Sequence, residues 1–256
     1  MHDGEPLYLP VILGTTRKGR LSAHVARVVA DVAAKQPGVV TELIDMAKLP
    51  LPADDAGEAI RDAGFAAKMN RADGLVVVTP EYNHSFPGLL KHALDSCLEQ
   101  YIHKPVGLIG VAAGPFGGAR GIQSFLPVLR ELGLVATFSD VYFGSVHNLF
   151  DEAGRLQDEA YLRRTRDFLD ELAWMATALR WGRRNVGIED APAEQAPEPL
   201  ACPACGAPMN HHANKPVDPR SADEAARVDP ALGCLTVEAH CCPACGHGET
   251  RAPAAV

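Results

Sequence analysis

The chain has 256 residues, 47% hydrophobic and 22% charged, a balance that suits one ordinary α/β domain plus a smaller unit and excludes wholesale disorder. Its net charge of −8 is uneven, with 4 Lys+Arg against 10 Asp+Glu in residues 185–256, which argues against a nucleic-acid partner because phosphate binding needs a basic surface. Met1 to Glu5 do not read as a secretory signal, and the longest apolar run, Val106 to Ala113, is far shorter than the roughly 20 residues of a membrane span, so a cytoplasmic protein without membrane contact is expected.

Up to about residue 183, short apolar runs alternate with longer helical patterns, the signature of successive βαβ units on a parallel sheet. Leu7 to Leu13 reads as the first strand. Val25, Val28, Val29, Val32 and Ala33 recur at helical spacing between Leu21 and Lys35, and Gln36, Pro37 and Gly38 stop that helix. Val39 to Ile44 reads as the second strand. After a loop holding Leu49, Pro50, Leu51 and Pro52, a helix is expected over about 59–71. Gly74 to Val78 is branched and uninterrupted, as a buried central strand is. Val106 to Val111 is the fourth strand, flanked by helices expected at about 88–101 and 119–132. Leu134 to Phe138 supplies the fifth. The stretch Glu159 to Arg183, with Leu162, Phe168, Leu169, Leu172, Met175, Ala176 and Leu179, is an amphipathic long helix.

Five strands in three layers admit both the flavodoxin-like order 2-1-3-4-5 and a half-Rossmann order. Residues 184–200 turn polar, with Gly187, Pro192, Pro197 and Pro199 among acidic residues. The expected organisation is therefore an α/β domain over 1–183, a linker over 184–200 and a cysteine-rich module over 201–256.

In a doubly wound sheet, ligands bind at the carboxyl ends of the strands, so the loops after each run carry the information. The first, Gly14 to Ser22, holds no GxGxxG fingerprint. It offers hydroxyls, a guanidinium and backbone N–H groups at a helix N-terminus, which suit a terminal phosphate; it also reads as a solvated turn with capping Thr and Ser. The second, Thr79 to Gly88, is stiffened by Pro80, Pro87 and Gly88. Tyr82 and Phe86 can stack on a planar ring while Asn83 addresses its polar edge. His84 there reads as a proton relay or as a surface residue. The third, Ala113 to Gly121, has four glycines that let backbone N–H groups approach a ligand closely.

These strings match a known family. The loop Gly14 to Arg20 resembles a GSTRxGR loop, Pro80 to Asp95 (PEYNHSFPGLLKHALD) closely resembles the PEYN signature of the NADPH-dependent FMN reductase family, and the likeness continues through GPFGGAR, over about residues 8–183. The resemblance implies a flavodoxin-like three-layer fold with a five-stranded parallel sheet in the order 2-1-3-4-5. It implies bound FMN and two-electron reduction of a flavin, quinone or azo compound by NADPH or NADH. A homodimer or homotetramer is implied as well, with the helix bearing Lys91 and Asp95 at a subunit contact.

Carried over by position, Thr15, Thr16, Arg17, Arg20 and Ser22 would hold the FMN phosphate. Pro80, Glu81, Tyr82, Asn83 and Ser85 would line the isoalloxazine, and Gly114, Gly117 and Gly118 would bound its pyrimidine side. Thr15 stands where the family usually has serine and keeps the hydroxyl. No side-chain acid or base is obligatory, because the flavin carries the chemistry and residues such as Tyr82 and Asn83 position it. The competing reading is a non-enzymatic flavin-binding redox sensor or electron carrier that signals through the C-terminal module.

Six of the seven cysteines lie between Cys202 and Cys245. CPACG occurs at Cys202 and again at Cys242, and each string places two thiolates on a tight turn. The pair predicts a tetrahedral Zn2+ site of Cys202, Cys205, Cys242 and Cys245 in a module that resembles small zinc ribbons. The 36 residues between Cys205 and Cys242 exceed compact ribbon spacing, so an insertion is expected. His211, His212, Cys234, His240, Cys241 and His247 stand as substitute ligands. A redox dithiol is the other reading, although neither CxxC sits between a strand and a helix of a βαβ pattern.

Overall fold

The computed structural model describes residues 5–50, 63–186, 200–226, 228 and 233–251. The chain divides into two compact units, Met1–Gly187 and Ile188–Val256. Leu51, Pro52, the expected helical residues 59–62 and most of the expected linker lie outside the described residues.

In the first unit the initial apolar run becomes two strands, β1 (Leu7–Tyr8) and β2 (Val11–Leu13). Pro10 interrupts it because proline has no N–H for a ladder. The second run splits in step, into β3 (Val39–Val40) and β4 (Leu43–Asp45). Across the gap, Leu9 N–H donates to Val40 O and Val11 N–H to Glu42 O, each at 2.9 Å, while Thr41 Oγ1 donates to Leu9 O at 2.7 Å. Pairing therefore continues through the break.

The remaining elements are α1 (Ser22–Ala33), α2 (Ala63–Arg71), β5 (Leu75–Pro80), α3 (Gly88–Asp95), β6 (Lys104–Val111), α4 (Ala119–Glu131), β7 (Leu134–Ala136), β8 (Val141–Phe143) and α5 (Glu159–Asn185). The sheet order is β4-β2-β5-β6-β7, with β8 paired to β6 beyond β7, and every pair is parallel. Counted as the five expected strands, this is 2-1-3-4-5, the flavodoxin-like order. The half-Rossmann alternative falls.

Strand alternation divides the core between two faces. Ile12, Val77 and Leu108 pack with Phe65, Met69, Leu90, Leu94 and Phe125 from α2, α3 and α4. Val11, Leu13, Val76, Val78 and Ile109 pack with Val25, Val29, Phe168 and Leu172 from α1 and α5. No helix among the described residues is long and apolar enough to cross a membrane.

Two elements differ from expectation. The helix expected to reach residue 101 stops at Asp95, because Ser96 Oγ bonds to Ala93 O at 2.7 Å and Leu98 N–H to Gln100 Oε1 at 3.2 Å, local bonds that compete with the helical ladder. The fifth strand is two segments, since Thr137 Oγ1 turns to Ser139 O before the chain rejoins β6 at Val141.

The second unit holds β9 (Asn210–Val217), α6 (Ala222–Ala225), β10 (Leu235–Cys241) and β11 (Gly248–Arg251), in an antiparallel sheet of order β11-β10-β9. The expected insertion is the β9–α6–β10 segment. Most of the MNHHANK string becomes β9, and Met209 just before it packs against Cys202 and Cys242.

Gly110 in β6 makes room for the loop that follows the strand. A Cβ there would lie 2.5 Å from Gly117 O and 3.0 Å from Ile122 Cδ1, so Gly110→Ala should cost about 1–3 kcal/mol of unfolding free energy, measured by urea denaturation.

Candidate functional site

Because the strands run parallel, β2, β5, β6 and β8 all end at one edge, and the loops after them gather there. Three of these loops were expected. The fourth, after Phe143, was not, because the expected fifth strand ends at Phe138; its available signal is the second apolar run Val141–Phe143 followed by Gly144 and Ser145.

Two loops meet through side chains. Thr15 is buried, accepts from Arg17 N–H at 3.3 Å, and lies 2.8 Å from the Tyr82 hydroxyl. Tyr82 and Ser85 exchange backbone bonds of 2.7 and 2.9 Å, with Asn83 and His84 between them at φ 51° and 64°. Two consecutive left-handed residues make a tight reversal of the kind found in two-residue hairpins. Asn83 tolerates that region better than most residues, since its short polar side chain bonds locally. The Arg17 guanidinium stands 5.9 Å from the Tyr82 ring centre.

Between the loops lies a cleft of about 530 Å³, lined by Thr15, Thr16, Arg17, Glu81, Tyr82 and Asn83, with Pro87, Gly88 and Leu89 completing the wall. A volume of this order suits a cofactor-sized ligand. Hydroxyls and a guanidinium at one side and an aromatic ring at the other fit a molecule with an anionic end and a planar end. Pro87 and Gly88 belong to the loop whose stiffness the sequence already shows, whereas Leu89, at the start of α3, is a lining residue that no sequence signal marks.

Other expected residues stand off the lining. Arg20 is held by Asp45 at 2.5 Å, and Asp45 also accepts from Ala47 N–H. Ser22 is buried, and its Oγ has no hydrogen-bond partner among the described residues. Pro80 ends β5, and Ser85 accepts from Ser124 Oγ at 3.0 Å. His84 is exposed. Lys91 and Asp95 pair along α3 at 2.6 Å.

Gly114, Gly117 and Gly118 form the loop between β6 and α4. Gly117 and Gly118 have φ of 62° and 92°, and a Cβ on Gly117 would fall 2.7 Å from Tyr142 Cβ, so both left-handed backbone and contact demand glycine. This loop is fastened on two sides. Glu81 accepts from Gly121 N–H at 3.4 Å and stands 3.6 Å from the Arg120 guanidinium. Ser145 N–H donates to Gly114 O at 3.0 Å. Glu81 thus ties the aromatic turn to the start of α4, a role that spacing did not reveal.

In the second unit, the sulfurs of Cys202, Cys205, Cys242 and Cys245 lie within 4.8 Å of one another. Cys202 approaches Cys245 at 3.6 Å and Cys205 approaches Cys242 at 3.5 Å. Tetrahedral zinc with Zn–S bonds of about 2.3 Å requires sulfurs about 3.8 Å apart, so the set fits the ion. The two turns match: Gly206 and Gly246 share φ of 73°, and their N–H groups bond to Cys202 O and Cys242 O at 2.8 and 2.9 Å. Burial opposes ionisation of Cys242, yet N–H groups of Cys245 and Ala244, together with the Cys205 and Cys245 thiols, bring it down, while their own sulfur neighbours push Cys245 and Cys205 up, so that the cluster shares its negative charge unevenly. His240 and His247 lie instead beside Glu238 and Glu249, at 3.2 and 3.5 Å. Cys234 and Cys241 stand outside the four-sulfur cluster, and the His211 and His212 side chains lie outside the described part of the structure.

Comparison with known proteins places this geometry among relatives. Residues 9–148 match the family described as NADPH-dependent FMN reductase. The chain is 32% identical over 186 residues to an NADPH azoreductase from Bacillus sp. (strain OY1-2), covering 71% of this chain and 99% of the relative. It is 30% identical over 187 residues to a quinone reductase from Pseudomonas putida, covering 70% and 96%. Among solved structures, a flavoenzyme NAD(P)H:(acceptor) oxidoreductase from Paracoccus denitrificans superposes with a TM-score of 0.57 at 23% identity, over 67% of this chain and 98% of that one.

The Thr15–Tyr82 contact predicts a measurable coupling between loops. Tyr82→Phe should cost about 0.5–1.5 kcal/mol in urea unfolding and speed amide exchange in the loop at Thr16 and Arg17.

Proposed function

Since this chain belongs to the NADPH-dependent FMN reductase family, we propose that it uses NADPH or NADH to reduce a quinone, an azo compound or a free flavin through bound FMN. The observation that carries this reading is the cleft that joins the hydroxyl-and-guanidinium loop to the aromatic turn. FMN bound there would supply the two-electron redox chemistry that links nicotinamide to the acceptor.

The chain's own residues bind and orient. Thr15, Thr16 and Arg17 hold the phosphate with hydroxyls and a charged donor, and Arg20 steadies that loop through Asp45. Ser22 contributes its buried hydroxyl to the same loop. Pro80, Glu81, Tyr82, Asn83 and Ser85 form a preshaped rim for the ring, which lowers the entropic cost of binding. Gly114, Gly117 and Gly118 would bound the pyrimidine side, where backbone N–H groups of this loop would stabilise negative charge, although Gly117 N–H itself is directed at Gly114 O. No side-chain acid or base is assigned.

The reductase domain spans 1–183 and the C-terminal module spans 201–256 in this proposal. Cys202, Cys205, Cys242 and Cys245 bind one structural Zn2+, supported by their sulfur spacing and by the turn N–H groups. The module's buried cluster of Cys202, Met209 and Cys242 is small, so metal substitutes for a core that so short a segment cannot build. We place the protein in the cytoplasm as a homodimer or homotetramer, with α3 at a subunit contact.

Purified protein should be yellow, its flavin should bleach with NADPH under anaerobic conditions, and quinone should restore the colour. Colourless protein that takes up no FMN would sink this reading. Arg17→Ala should weaken FMN binding about tenfold, read by fluorescence titration, as expected for loss of a charged hydrogen bond. Metal analysis should find about one zinc per chain, and Cys202→Ser should lose it; full retention would remove Cys202 from the ligand set.

A further inference from the structure

The chain's only two tryptophans, Trp174 and Trp181, lie seven residues apart on α5, so both stand on one stripe of the helix. They are 72% and 59% exposed. Between them, Thr177 and Ala178 are small. Beside Trp174 runs a groove of about 690 Å³, walled by Pro6, Leu7, Pro37 and Val39 across from Ala173 and Ala178. These wall residues precede or begin β1 and β3, so the groove lies at the amino edge of the strands, away from the cleft.

We propose that this stripe is a two-fold interface with a second copy of the chain, α5 crossing α5 antiparallel about an axis at Thr177 and Ala178. The stripe is complementary to its own reverse. Turned about that midpoint, Trp174 faces Trp181 of the second copy, and Glu171 faces Arg184 of the second copy. Each pairing occurs twice, as an isologous contact requires. Small residues at the crossing let the helix axes come within the 8–10 Å typical of packed helices. The groove beside Trp174 then receives the indole of Trp181 from the other copy.

Charges agree with this register. Arg184 is half exposed and now pairs with Glu5, itself on the surface, so exchange for Glu171 of the second copy costs little. Glu171 uses Oε1 for Phe138 N–H and has a second oxygen to offer. Each indole buries about 150–250 Å² when covered. Two per copy supply roughly half of the ~800 Å² per partner found in standard interfaces. Val186 and the groove walls extend the apolar surface.

The test uses the full-length protein. Sedimentation velocity should show the mass of wild type halved in the double variant Trp174→Glu, Trp181→Glu, with quinone reduction retained. Because these are the only tryptophans, wild-type emission should shift to longer wavelength on dilution, as the indoles enter water. A second variant, Ala178→Cys, leaves the stripe intact; a short bis-maleimide should join two copies at position 178, located by peptide mass spectrometry. Unchanged mass in the double variant, or cross-links from position 178 only to other cysteines, would overturn the proposal.

Discussion

The close approach of β6 to the loop that follows it governs the site. Gly110 leaves the space that Gly117 O occupies, and Gly117 in turn lies against Tyr142, so the glycine loop is pressed between two strands that belong to one sheet. Such contacts have no slack, since protein interiors are packed at crystal-like density. The loop's position follows from the sheet, and through Glu81 on Gly121 and Ser85 on Ser124 the aromatic turn follows from the loop. Thr15 then joins that turn to the first loop by its contact with Tyr82. One chain of short contacts runs from the centre of the sheet to the cleft.

This arrangement separates stability from chemistry. The central strands β2, β5 and β6 are buried on both faces and supply the hydrophobic energy, while the cleft residues contribute little to it. The left-handed pair Asn83 and His84 carries a conformational cost that the backbone exchange between Tyr82 and Ser85 offsets, and Ser145 in the fourth loop, at φ 47°, carries another. The C-terminal unit is organised on the opposite principle. Its apolar cluster is small, and the two matched CPACG turns concentrate its order at four sulfurs. With the proposed zinc in that set, binding and folding would be one equilibrium.

Much of this is legible because short continuous apolar runs alternate with stretches of helical period along the sequence. Uninterrupted branched runs such as Leu75 to Val78 and helical runs such as Val25 to Ala33 place the strands and helices, and turn residues mark the loops at their ends. The losses have physical causes. Pro10 splits a run that reads as one strand, because apolarity persists where a ladder donor does not. Ser96 and Gln100 end α3 early through side-chain bonds that no hydrophobic pattern registers. At the site, residue types announced Thr15, Arg17, Tyr82 and Asn83, whereas the engagement of Arg20 by Asp45 joins residues 25 apart in sequence and needs the fold. Glu81 was visible as a rim residue and invisible as a tie.

The long helix α5 shows how the two edges of the sheet divide their tasks. Its inner face, Phe168, Leu169, Leu172 and Ala176, seals the core, and that requirement ends before the helix does. Beyond Ala176 the helix is held by polar contacts: Arg180 and Arg183 reach Asp73 at 3.4 and 3.6 Å, and Arg180 also donates to Pro6 O and Glu5 O. These bonds fix the last turns against the amino edge without using their outer surface. Trp174 and Trp181 therefore remain on a rigid support with nothing in the core to cover them. A large apolar surface held rigid in water is unfavourable unless something else buries it, and a helix stripe that matches its own reverse most simply meets another copy of itself. Contact there leaves the carboxyl edge open, so association and access to the cleft do not compete.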